Sequence, residues 1–234
     1  MFAVIFEVQP KAEQWNDYLE LAKLLRPELE QVPGFVDNER YKSLHDATRV
    51  LSLSTWADEK AVIRWRTQAR HHDVQEKGRF KVFEDYHLRV GEIYADTHVP
   101  AGQHLKEQRF DTTAVGAAKV MSLSEIDPPG CDVGRISARL ALPEVGQCGV
   151  VDVQSFASIY TEGKLIVLVS WRDADAAAAW QSPARIAGTG RVRHRRVRVI
   201  RDYGLADRRE APQYYPDVPR SSIVHSGTGM IEGL

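Results

Sequence analysis

The chain is poor in cysteine: Cys131 and Cys148 are its only two among 234 residues. A disulfide framework is therefore excluded, and a reducing, cytoplasmic setting is the expectation. Charge excess is also missing. Lys and Arg total 31 against 32 Asp and Glu, a net charge of −1, so no overall field directs the chain to nucleic acid or a membrane surface. No apolar run approaches the roughly 20 residues that span a bilayer. The opening MFAVIFEVQP is apolar but has no basic lead and soon turns polar; it predicts a first strand, not a signal peptide. GxGxxG, P-loop, GxSxG, CxxC and HExxH patterns do not occur. Nucleotide-dependent redox chemistry, phosphoryl transfer, serine hydrolysis and zinc proteolysis thus lack support. No cluster has metal-ligand spacing, so no metal is expected.

What is present is a repeat. LSLSTWADEKAVIRW (51–65) and IVLVSWRDADAAAAW (166–180) each place two tryptophans nine apart behind a β-rich run. Without a gap, 34–65 lies on 149–180 with nine of 32 positions identical: Gly34/Gly149, Val36/Val151, Asp37/Asp152, Ser43/Ser158, Leu53/Leu168, Trp56/Trp171, Asp58/Asp173, Ala61/Ala176 and Trp65/Trp180. A repeat this long reads as a duplicated domain.

Periodicity then supplies the elements. The first copy predicts a strand at 2–8 and an amphipathic helix at 11–31 carrying Trp15, Leu19, Ala22, Leu25 and Leu29, with Pro27 kinking its last turn. Strands at 35–44 and 49–56 follow, then a helix from Asp58 to about 70. A strand at 79–93 comes last, with Phe80, Val82, Tyr86, Leu88 and Val90 on one face. The order β-α-β-β-α-β is ferredoxin-like. The second copy predicts a strand at 114–123, a helical stretch at 132–146, strands at 150–160 and 164–171, a helix at 173–183 and a strand at 191–203. The expected class is α+β: two tandem ferredoxin-like domains, 1–96 and 113–206, joined by a linker at 97–112 and followed by an extended tail at 207–234. KLIVLVSW (164–171) is apolar at both parities, so its strand must be covered on both faces, by helices and by a second sheet.

GFVDNERYKSL, LSLSTWADEKAVIRWR and HHDVQEKGRFKVFEDYHLRV resemble the antibiotic biosynthesis monooxygenase family. The resemblance covers 1–94 well and the second half mainly over 149–203. It implies a dimeric α/β barrel, either pseudo-dimeric in one chain or a homodimer. It also implies oxygenation of a small aromatic, quinol or polyketide-like, without a bound cofactor. The tryptophan that family oxygenases carry on the second helix falls on Trp65, but the asparagine one turn earlier falls on Ala61, and on Ala176 in the second half. In the haem-degrading branch the axial histidine falls on Gln75, so haem degradation is not carried over.

The candidate residues follow. His71 is the expected general base, since imidazole titrates near neutral pH; the structural alternative is that it braces a helix end. Trp65 shapes the pocket or packs helix on sheet. His72, Arg66, Arg79, Tyr41 and Tyr86 are expected to contact substrate, the arginines through an anionic group and the tyrosines from strands. RVRHRRVRVIR (191–201) reads as a salt-bridged strand with Val192, Val197 and Val199 inward and a bulge at 194–196, not as a nucleic-acid surface. Trp56 and Trp65 recur in the second half; His71, His72, Arg66 and the longer loop before Gly78 do not, which leaves that set for function. The competing readings are a non-catalytic ligand-binding or oligomerisation module and a haem-binding relative with His71 or His72 as axial ligand.

Overall fold

Two strands bury every one of their residues, Val120–Ile126 and Leu165–Trp171. Such strands cannot have a wet face, and a closed barrel wrapped by helices is one arrangement that covers both. The computed structural model of the chain describes residues 1–127, 136–181 and 190–212, with the backbone alone at 69, 70, 72 and 73. Its elements are β1 (Phe2–Pro10), α1 (Trp15–Glu30), β2 (Phe35–Ser43), β3 (Val50–Trp56), α2 (Glu59–Arg66), α3 (Ala69–Lys77), β4 (Phe83–Asp96), β5 (Val120–Ile126), α4 (Ile136–Arg139), β6 (Val150–Ser158), β7 (Leu165–Trp171), α5 (Ala174–Ala179) and β8 (Val192–Gly204). The strands form one antiparallel barrel in the order β1-β3-β2-β6-β7-β5-β8-β4, and β4 returns to β1. The seams between the halves are β2 with β6 and β4 with β8. The barrel therefore closes within one chain.

Its interior is a cluster to which all eight strands contribute, including Ile5, Tyr41, Leu53, Ile93, Leu123, Phe156, Leu168 and Val197. The other parity of β7, with Val167, Val169 and Trp171, packs on α4 and α5 residues. The two-faced apolar strand is thus covered by helices outside and by barrel interior inside.

Positions 115 apart do the same local work. Gly34 and Gly149 both have positive φ, 91° and 80°. A Cβ at either would meet the Cβ of Ala61 or Ala176 at 2.7 or 2.5 Å. Asp58 and Asp173 cap α2 and α5 by accepting from the Ala61 and Ala176 amides at 2.7 and 2.8 Å. Ser43 and Ser158 each accept two amides of the following turn. β2 and β6 each skip register at Val36 and Val151. The Trp56 and Trp171 indoles are fully buried and donate to Ser54 and Ser122, both at 2.9 Å.

Several sequence expectations need correction. The helix expected from 11 begins with a separate turn at Ala12–Gln14, and α1 itself starts at Trp15. The expected helix to about 70 is two, because Gln68 is extended (φ −64°, ψ 131°) and starts α3. Residues 78–82 form a wide helical turn, so Phe80 and Val82 precede β4, and Phe80 is 66% exposed. The strand expected at 114–123 is Val120–Ile126. α5 ends at Ala179, before the expected 183, and the described part of the stretch expected at 132–146 is helical only at Ile136–Arg139; 128–135, 182–189 and the tail from 213 lie outside the described residues. The basic run has no bulge at 194–196: β8 keeps register with β5 from 192 to 198, and the irregularity falls opposite, at Tyr94 of β4. Regular alternation puts Val197 and Val199 in the barrel and Val192 in the outer layer. It also turns Arg195 inward, where it is 1% exposed and meets Glu125 at 2.7 Å.

Candidate active site

Alternation along the first four strands builds a floor. Val4 and Phe6, Asn38 and Arg40, Ser52 and Ser54, and Tyr86, Leu88 and Val90 share the parity that faces away from the barrel interior. α1 covers this floor with Tyr18, Leu21, Ala22, Leu25 and Leu29, and α2 and α3 add Val62, Trp65, Arg66, His71 and Gln75. The helices do not close onto the sheet. A cavity of about 640 Å³ is left between them, within the roughly 300–1,000 Å³ range of small-molecule sites. Its walls combine aliphatic and aromatic side chains with polar ones, among them six arginines.

The break at Gln68 turns α3 so that its first turn folds back on α2. The His71 ring stacks on Trp65 with centroids 4.1 Å apart and planes at 19°. His71 Nδ1 lies 2.9 Å from the Trp65 carbonyl oxygen. A carbonyl only accepts, so Nδ1 carries a proton and donates to this helix-end carbonyl, which also accepts from the Gln68 amide at 3.3 Å. In the neutral ring the lone pair is then on Nε2, and the Gln75 amide nitrogen is 3.5 Å from it. His71 thus braces the helix end and presents a defined tautomer at the cavity wall.

The chain after β8 completes the rim. Arg208, Arg209, Glu210, Ala211 and Pro212 line the cavity. Glu210 pins this segment by accepting from Thr113 Oγ1 and the Ala114 amide, both at 2.6 Å, and from the Asp202 amide at 2.8 Å. Arg208 donates to the Tyr86 hydroxyl.

The structure brings Trp65, His71, Arg66, Arg79 and Tyr86 together on one cavity. Tyr41 is not among them. It is fully buried in the barrel interior and donates from its hydroxyl to Glu125 Oε1 at 2.6 Å. Strand parity explains this: Arg40, its neighbour, faces the cavity instead. Burial pushes the Tyr41 hydroxyl upward, and the Glu125 carboxylate adds to that. The His72 side chain lies outside the described ones. Ala61 does not reach the cavity; it is fully buried against Gly34. Sequence reasoning missed Arg40, Asn38, Tyr18 and the 208–212 rim. The signal for the first two was the polar pair Asn38 and Arg40 alternating on one strand.

The family model for antibiotic biosynthesis monooxygenases matches residues 1–77. A protein of Pyricularia oryzae, jasmonate monooxygenase ABM, is 42% identical over 221 residues, which is 92% of this chain and 99% of that one. The chain belongs to the antibiotic biosynthesis monooxygenase family. The family's α+β fold is the one described above, and the similarity extends over both halves of the barrel. An aldoxime dehydratase crystal structure superposes with a TM-score of 0.51 at 14% identity, covering 85% of this chain and 81% of that one; that likeness concerns the fold alone. No helix among the described residues is long and apolar enough to cross a membrane.

Proposed function

We propose that this protein is a monooxygenase that works without bound metal or flavin on a small organic molecule held in the N-terminal cavity. The supporting observation is the Trp65–His71 pair: a histidine of fixed tautomer, stacked at 4.1 Å on a wall tryptophan, beside a largely apolar cavity. A cavity filled by Trp65 and aliphatic side chains would have favoured a purely structural module; this one is open.

In the reading developed from the sequence, the substrate is a small aromatic, such as a quinol or a polyketide, with an acidified C–H or O–H. His71 Nε2 takes the proton. For a CH₂ beside a conjugated carbonyl, the carbanion adds dioxygen to give a hydroperoxide after protonation. Loss of water breaks the O–O bond and leaves C=O. All four electrons come from the substrate, and the protein supplies the base, orientation and a site shielded from bulk water. The name of the Pyricularia relative makes a jasmonate-type molecule the other candidate. Hydroxylating an unactivated C–H takes two electrons beyond those the substrate gives, so that assay needs an added reductant such as NADPH.

We also take 1–96 and 113–206 as two copies of one ferredoxin-like unit, on the strength of their shared caps, glycines and bulges. The test of function is oxygen uptake with hydroquinones, anthrones and jasmonic acid, the last with and without NADPH. Uptake is expected with at least one class and falls roughly 100-fold or more in His71→Ala, the usual size of a lost general base. Trp65→Phe is expected to raise KM more than it lowers kcat. No uptake above buffer with any substrate sinks the proposal. A Soret band on haem titration, lost in His71→Ala, would replace it with the haem-binding reading.

A further inference from the structure

Three arginines among the described residues are buried: Arg40 at 8%, Arg89 at 6% and Arg195 at 1% exposure. Two of them have counter-charges. Arg89 meets Glu7 at 2.7 Å and Asp202 at 3.6 Å, and Arg195 meets Glu125 at 2.7 Å. Arg40 has none: no carboxylate among the described residues lies within 4 Å of it. Its partners are all neutral: Nη1 donates to Asn38 Oδ1 and the Tyr160 hydroxyl oxygen, both at a long 3.3 Å, and the guanidinium also meets the Tyr18 hydroxyl. Its Nε has no hydrogen-bond partner. Removing a cation from water without a counter-charge is unfavourable, and Arg stays protonated under all ordinary conditions. Arg40 stands on the cavity floor, beside Asn38 and under Tyr18 of α1. The Tyr18 hydroxyl is pushed upward by burial, so it stays neutral; its oxygen accepts from the guanidinium and its proton is left to donate elsewhere.

We propose that Arg40 is the anchor for a carboxylate of the substrate, with Tyr18 and Asn38 as flanking polar groups. The ligand class is a small organic acid: one carboxylate on an otherwise apolar body that fills the aliphatic part of the cavity. The missing counter-charge of Arg40 is then supplied by the substrate itself. Two of the other cavity arginines stand differently. Arg208 stacks towards Tyr203 at 5.9 Å and Arg201 reaches the Glu210 carbonyl at 3.5 Å, both at the rim. This inference rests on the cavity being the substrate site, as proposed above.

The experiment measures equilibrium binding, not turnover, by calorimetry on the full-length chain. The probes are jasmonic acid and its methyl ester, and decanoic acid and its methyl ester. Wild type is expected to bind at least one acid more tightly than its ester. In Arg40→Gln that acid's affinity falls roughly 10- to 100-fold, the range for losing a charge-assisted hydrogen bond, while the ester's changes less than about twofold. Arg40→Lys keeps part of the preference, and Arg201→Gln keeps most of it. Equal binding of acid and ester by wild type overturns the proposal, as does no binding of any probe, or a preference lost in Arg201→Gln and kept in Arg40→Gln. The wild-type comparison stands even if Arg40→Gln does not fold. Acid binding that depends on Arg40 but comes with no oxygen uptake defeats the monooxygenase reading and leaves the anchor in place.

Discussion

Trp65 and Trp180 occupy matching positions in the two halves, yet they have opposite surroundings. Trp180 is 6% exposed, lies 5.8 Å from Trp171 and meets His194 edge-on at 5.9 Å. Its indole donates to the Leu140 carbonyl at 3.0 Å. The layer over the second sheet is packed by Ile136, Leu140, Val167, Val169 and Trp180. Trp65 is only half-buried, its ring covered by His71 and its edge on open volume. The same residue type at the same repeat position is thus a core filler in one half and a cavity wall in the other. What differs is the cover. α1 of the first half spans 16 residues, whereas the described part of α4 spans four. α1 lies over open volume, whereas the described residues of the second layer pack directly on their sheet.

The sharpest way to break this contrast is to truncate both tryptophans. Trp180→Ala is expected to cost about 3–5 kcal/mol, the usual loss for a large buried aromatic. Trp65→Ala should cost about 1–2 kcal/mol, since one side of the ring already faces open volume. Equal losses in urea unfolding would refute the contrast. The next largest effects concern what the halves share. Gly34→Ala and Gly149→Ala force a Cβ into positive φ and onto Ala61 or Ala176, so each should lose about 2–4 kcal/mol. A loss at only one site would show that the two helix contacts are not equivalent.

A third experiment tests the buried cluster in which Glu125 joins Tyr41 of the first half to Arg195 of the second. Burial alone would raise the Glu125 carboxyl, but Arg195, the Tyr41 hydroxyl, Lys164 and Arg193 together hold it down at about 2. A lowered carboxyl stabilises the fold above its unfolded pKa, and that stability is lost as pH falls from about 4.5 towards 2. The loss is on the order of 2–3 kcal/mol. Glu125→Gln should be less stable at pH 7 and should flatten the acid limb of a stability–pH curve; an unchanged limb would refute a stabilising role for the Glu125 cluster. The smallest effect is spectroscopic. Ligand titration should quench Trp65 fluorescence with one ligand bound per chain, and Trp65→Phe should abolish the signal. Two equivalents per chain would mean that the second half also opens.

Much of the fold was legible. The gapless repeat located Trp56 and Trp171, both caps and both glycines, because those roles depend on short-range geometry that recurs wherever the residue recurs. The subtraction of one half from the other left His71, His72, Arg66 and the loop before Gly78; His71, Arg66 and Val74 to Glu76 line the cavity, and the His72 side chain lies outside the described ones. The misplacement of Tyr41 and of the β8 arginine has one physical origin, the parity of strands covered on both faces. Tyr41 and Arg40 are adjacent on β2 and point opposite ways. Hydrophobicity could not say which way, because both directions are buried, and the extra residue at Val36 resets the phase. In β8 the same ambiguity hid arginines that point into the barrel, where polarity alone argues for an outward face. The 208–212 rim carries no periodic signal; Glu210 holds it through contacts with Thr113, Ala114 and Asp202, two of them far away in the chain.

The closure of the barrel within one chain also has a genetic meaning. In a barrel assembled from two identical subunits, every substitution falls on both sides at once, so a change that fills one pocket fills the other. Here each half has its own codons. One side is free to accumulate mutations that harden it into a buttress, and the other to adapt to a ligand, without either change being copied across the symmetry axis.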